Sequence, residues 1–456
     1  MATLLKVLII LSFLFRIIIE IVGVYNPEKD FLPIRKLTLN KDYESLINKD
    51  DYEITRTAKN FILYNEYLAD NSFDRPSFRK DSLYKTALRN KYNIWLHVAG
   101  IKIYAGITSI DVKKINDLPR EYFYWSSILI MILKTILSII SFSFFYKTLR
   151  FYYTTNWSLG FTFLFSLYPE NFYVGLLNTI DCLIVPLLTI IAYYFIKEVK
   201  FDDNTIGRNM ITLCALISVS CALKFHVMLL LLGVFGIYLL FILINRMYNK
   251  IKFVILFVVI IVITYIPVFV SNYLDFGSLF LSTQSGFNLY HGHNPHAQGS
   301  WLPSIWEKHH DEIFAVLSSN KRLPYLSEKE ESDYYKKLAI DWVLENPVEE
   351  IKLAARKVAI FFLPHNFLHW RLNIFTLMVH LGAILFMIAI FKNYRQHEFD
   401  KWIIASIIIT TLSINVLFFV EYRWRYYTDP FMFIGASLFY FPFLNRLTEK
   451  YFLRLK

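Results

Sequence analysis

Runs of about twenty apolar residues recur along this chain, and a run of that length has just enough helix to cross the hydrocarbon core of a bilayer. Read with a window of roughly 20 residues, the spans are Leu4–Val24, Trp125–Phe145, Phe151–Tyr168, Phe172–Ile196, Ile206–Leu223, Val227–Ile244, Phe253–Val270, Phe375–Phe391, Trp402–Val420 and Phe431–Phe443. The chain is 55% hydrophobic and 18% aromatic. A soluble domain averages about 45–50% apolar even when glycine is counted. The expectation is therefore an all-α polytopic membrane protein with about ten transmembrane helices. The first run has no small-residue cleavage site after a short apolar core, so it reads as a retained helix and not a signal peptide.

This threading divides the chain into a first transmembrane helix (1–24), a long polar segment (25–124), a transmembrane core (125–270), a second long polar segment (271–374) and C-terminal helices with a basic tail (375–456). With the N-terminus in the cytoplasm, the short inner loops hold Lys147 and Arg150, then Lys197, Lys200 and Arg208, then Arg246, Lys250 and Lys252, then Lys392, Arg395 and Lys401. Basic residues favour the cytoplasmic side, so both long segments become extracytoplasmic. The net charge of +11 is thereby explained without nucleic acid. Cys182, Cys214 and Cys221 all lie in apolar runs and imply no disulfide framework. Within the polar segments, Ile54–Tyr67 and Asp333–Glu345 read as helices, Asn93–Tyr104 as an interfacial helix, and Asn346-Pro347 as the start of a helix over Val348–Phe362.

Several polar groups stand out against this background. Asp50 and Asp51 precede a helical spacing, which would seat an acid at a helix N-terminus where the dipole favours it. Asp181 sits inside an apolar run, in the outer half of the fourth span. An ionisable group at that depth is costly, and it marks either a structural pair or a site. Arg16 and Glu20, spaced i,i+4 in the first span, read as a pair that neutralises itself. Lys224, near His226, fits a snorkelling lysine as well as a point charge for a phosphate. The run Gly286–Gly299, GFNLYHGHNPHAQG, has the turn-forming residues of a shaped external loop. In it Asn288, His291 and Asn294 are candidates for hydrogen bonds to a sugar or phosphate. A metal could be held by His291, His293 and His296, but no carboxylate accompanies them at ligand spacing. Arg423 and Arg425, spaced i,i+2, would diverge on a helix but project to one side of an extended segment, where two guanidinium groups suit a phosphate. The alternative is interfacial anchoring with Trp424, Tyr426 and Tyr427. All these groups fall on or near one side of the threaded membrane, which points to an enzyme at its outer face.

Taken in order, these motifs resemble those of the bacterial protein mannosyltransferase-like family, membrane glycosyltransferases of the GT-C fold. Asp50 to Phe61 resembles the family's first-loop acid preceding a helix, Asp181 its second acid, GFNLYHGHNP a loop often written with Gly-Asn-Asn-Pro, and Glu421-Tyr422-Arg423-Trp424-Arg425 an Arg-aromatic-Arg segment before a late helix. The chain departs from the pattern at His293, where Asn is common, and in having Asp51 directly before Tyr52. The resemblance implies a GT-C-like helical core and a polyprenyl-phosphate-linked sugar as donor. It implies a glycan, lipid or protein acceptor outside the cytoplasm and an Asp base, either Asp50 or Asp51. It also leaves room for a divalent metal ion held by the acids or histidines, and it places the protein in a bacterial inner membrane. A transporter or flippase, and a polymerase or ligase, of lipid-linked glycans are the rival readings.

Overall fold

The computed structural model describes residues 57–70, 83–86, 91–109, 121–168, 180–200, 208–300, 327–363, 374–392 and 399–452, with scattered positions between 3 and 14. The expected first span, the Arg16–Glu20 pair, and Asp50 and Asp51 lie outside them, apart from those scattered positions. Among the described residues six helices are long and apolar enough to cross a membrane. In chain order the helices are α1 (Lys91–Thr108), α2 (Glu121–Leu149), α3 (Thr155–Ser166), α4 (Asp181–Lys200), α5 (Arg208–Leu223), α6 (Phe225–Ile244) and α7 (Ile251–Phe276). They continue with α8 (Gln284–Gly292), α9 (Glu328–Glu345), α10 (Pro347–Phe362), α11 (Ile374–Lys392), α12 (Phe399–Leu417), the single turn α13 (Tyr422–Arg425) and α14 (Asp429–Phe452). A helix over 57–64 precedes a two-stranded antiparallel ribbon, Leu68–Asp70 with Leu83–Lys85, which departs from the all-α expectation.

The element ends follow local chemistry. Helix α4 starts on an acid and ends on Lys197 and Lys200, matching its dipole at both ends. Helix α7 stops at Gly277, whose φ of 69° is the left-handed conformation that a helix stop favours. Ser327 and Glu330 form a reciprocal capping box that begins α9, and Pro347 occupies the first turn of α10 as expected.

Helix α2 packs on α1 and α4, α4 on α5, α5 on α7, α6 on α12, and α11 on α14. One core of side chains from these helices runs the length of the bundle. The short connections sort by end. At one end Lys200 pairs with the buried Asp400 (3.0 Å) and lies over the Tyr152 ring at 4.8 Å. At the other end lie Asp181, Lys224, Tyr427, Tyr168 and His380. Lys91 of the first polar segment reaches Asp275 at the close of α7 (2.9 Å), so that segment joins the same end.

Candidate functional site

Asp181 is the first residue of α4, at the start of the membrane-length segment Asp181–Lys200. It is 3% exposed, and the Lys224 ammonium donates to both carboxylate oxygens, at 3.1 and 3.2 Å. Lys224 occupies the extended residue between α5 and α6, which turns its side chain across to α4. The Tyr427 hydroxyl donates to Oδ1 of the same carboxylate. A buried carboxylate is tolerable when a cation and a hydrogen-bond donor share it. The Lys224 side chain stays 23% exposed at this end of the bundle.

Residues 422–425 form a helical turn, not the extended segment that would bring two guanidinium groups to one side, and the Arg423 side chain lies outside the described residues. The turn forms because Glu421 accepts from the backbone N–H groups of Trp424 and Arg425. Arg425 is fully buried, and its guanidinium donates to the carbonyl of Leu363. Beside it, His380 Nδ1 donates to the carbonyl of Phe362 at 2.7 Å, which leaves Nε2 to accept from the Tyr168 hydroxyl at 3.2 Å. Both carbonyls close α10, where a helix carries its negative end, so Arg425 serves as a C-terminal cap. Trp424 between the two arginines stacks its ring on His226 at 4.0 Å and on Phe419 at 5.1 Å.

The first part of the GFNLYHGHNP run lies in a helix, α8, which ends at Gly292, and His293, Asn294 and Pro295 follow in turns. Its glycines are present for close approach. A Cβ on Gly286 would lie 1.9 Å from the Ser332 carbonyl oxygen, and one on Gly292 would lie 1.7 Å from that of Phe418. Asn294 ends the helix: its Nδ2 donates to the carbonyls of Tyr290 (2.8 Å) and His291 (3.2 Å), and its Oδ1 accepts from the His296 amide (2.8 Å). Asn288 is buried on the same helix. His291 is half-buried, with its ring against that of Phe419 at 4.8 Å. Burial, and then the nearby Lys357, push its imidazole down to about 3, so it is neutral. Alanine at Gly292 should therefore lower stability by about 1–3 kcal/mol, the usual cost of overpacking. Alanine at Gly236, where nothing lies within 4 Å, should change little. Thermal unfolding of the two purified variants measures the difference; equal midpoints would show that the contact yields.

His293 joins three elements. Its Nδ1 faces Glu350 Oε2 at 2.9 Å, and its Nε2 faces the Leu417 carbonyl at 2.7 Å. The fully buried Lys357 lies 3.3 Å from the same Nε2 and donates to the Val416 carbonyl at 2.9 Å. Burial pushes the Lys357 ammonium down to about 8, with Glu350 opposing. Lys357 and Glu350 were legible only as charges in a partly apolar helix, Tyr427 only as an interfacial aromatic beside Trp424, and His380 carried no signal of its own.

The structure thus brings Asp181, Lys224 and Tyr427 together. It links them through His226 and Trp424 to Phe419 and His291. It assigns Asn294 and Arg425 local structural contacts. Among the described residues no three His, Cys, Asp or Glu gather to hold a metal ion. No protein-family model matches this chain, and no curated protein matches it.

Proposed function

We propose that the chain is a membrane glycosyltransferase that moves a sugar from a polyprenyl-phosphate-linked donor to an extracytoplasmic glycan, lipid or protein acceptor. In this reading it resides in a bacterial inner membrane, with about ten spans and the Asp181 end facing outward. The observation that carries it is Lys224: its ammonium is anchored by a buried carboxylate, and its side chain is partly exposed at the polar end of a membrane bundle. A cation held there suits the phosphate of a lipid whose tail stays among the helices.

The chemistry needs few groups. Asp51, or its neighbour Asp50, accepts the proton of the acceptor hydroxyl as that oxygen bonds to the anomeric carbon. The bond from that carbon to the lipid phosphate breaks, and the phosphate leaves with the electron pair. Lys224 meets the charge that grows on it, in a site where water is scarce and such charge is expensive. Arg423 is the second cation in this scheme. Arg425 and Asp181 position the turn and the lysine, and Asn288 and His291 line the route from the second polar segment.

The phosphate assignment predicts that Lys224→Gln weakens binding of polyprenyl phosphate about tenfold, the loss of one charge-assisted hydrogen bond. Titration of the purified protein in vesicles reads this directly. Unchanged affinity in Lys224→Gln, with loss in Arg425→Lys, would move the phosphate to Arg425.

A further inference from the structure

Helix α10 has two apolar faces. Leu353, Lys357, Ile360 and Phe361 are buried against the rest of the protein. On the far side Val348, Ile351, Ala355 and Val358 follow one another at i, i+3, i+7 and i+10, the spacing of a single helical stripe. All four are exposed, Val348 at 63%, Ile351 at 70% and Val358 at 38%. Leu344, in the last turn of the helix before it, is 74% exposed. Scattered exposed apolar residues are ordinary, but a contiguous stripe opposite a buried face marks a surface meant to be covered.

Two observations say what covers it. Through Lys357 the buried face is bonded to the carbonyl of Val416, in the last turn of α12, one of the six membrane-length helices. The side chain of Leu417 beside it is 54% exposed and continues the apolar surface. Helix α10 is therefore fixed at the depth where a spanning helix ends. Lys352 and Arg356 are exposed along one edge of the stripe, as expected for cations that reach lipid phosphates while their neighbours enter the acyl boundary.

We infer that the outward stripe of α10 docks on the bilayer itself, with Val348, Ile351, Ala355 and Val358 in the acyl boundary and Lys352 and Arg356 among anionic headgroups. The helix then acts as a float that fixes the polar end of the bundle at headgroup level. This depends on membrane insertion and on no particular activity.

The test uses the full chain in vesicles of phosphatidylcholine and phosphatidylglycerol. Cys182 and Cys221 are buried; Cys214, half-buried, is replaced by serine. A nitroxide is placed on Ile351→Cys, on Val348→Cys as a second stripe position, and on Glu349→Cys as the water-facing control. The stripe labels should be more accessible to oxygen than to an aqueous nickel chelate, and the order should reverse at 349. Stripe labels as open to the chelate as position 349 would overturn the inference. So would stripe labels closed to both reagents, since a protein partner would then cover the face.

Discussion

Lys224→Ala is expected to destabilise the protein by about 3 kcal/mol, the lower end of the cost of breaking a buried ion pair. The lower end applies because Lys224 is itself partly exposed. The cost falls on Asp181, which is 3% exposed and would lose the cation that balances its charge while keeping the Tyr427 hydroxyl. The reverse change should be milder, because the ammonium left behind in Asp181→Asn has a path to water. In the Lys224→Ala background, Asp181→Asn should restore much of the lost stability, since no buried charge then lacks a partner. Thermal unfolding of the four proteins in detergent gives the cycle. Equal losses from the two single substitutions, with no recovery in the double variant, would show that the pair is not coupled as its geometry indicates. Recovered stability should not recover transfer, because the cation that meets the phosphate is still missing.

Asp51→Asn is expected to lower transfer about 10²–10⁴-fold, the usual contribution of a positioned general base. Amide and carboxylate have nearly the same shape, so donor binding and the unfolding midpoint should stay at wild-type values. Loss in Asp50→Asn instead moves the role by one residue. Wild-type turnover in both variants removes the base from the mechanism.

Six of the spans were readable because a bilayer imposes length and apolarity together, and neither property depends on long-range contacts. For the same reason the start of α10 at Asn346-Pro347 was readable from two adjacent residues. The front of the GFNLYHGHNP run, from Gly286 to Gly292, was misread as loop because glycine is a loop former by local propensity, while Asn294-Pro295 do fall in the turn that follows. Here Gly286 and Gly292 instead let α8 approach Ser332 and Phe418, contacts visible only once distant segments are assembled. Arg425 misled in a similar way. A guanidinium at a membrane boundary suggests a ligand, yet its acceptor is a carbonyl 62 residues away that closes another helix. Asp181 and Lys224 each stood out alone as charges beside apolar runs. Their pairing, and the part of Tyr427, depend on three connections meeting at one end of the bundle, which no local pattern encodes.

The central claim is covalent transfer at that end. The most direct measurement incubates the purified protein in vesicles with a panel of polyprenyl-phosphate-linked sugars and candidate acceptors, following glycosylated acceptor and free lipid phosphate together. The account predicts that one donor yields both products in equal amounts and that Asp51→Asn yields neither. Movement of a lipid-linked sugar across the bilayer with the sugar–phosphate bond intact, and no glycosylated acceptor from any donor, would contradict it.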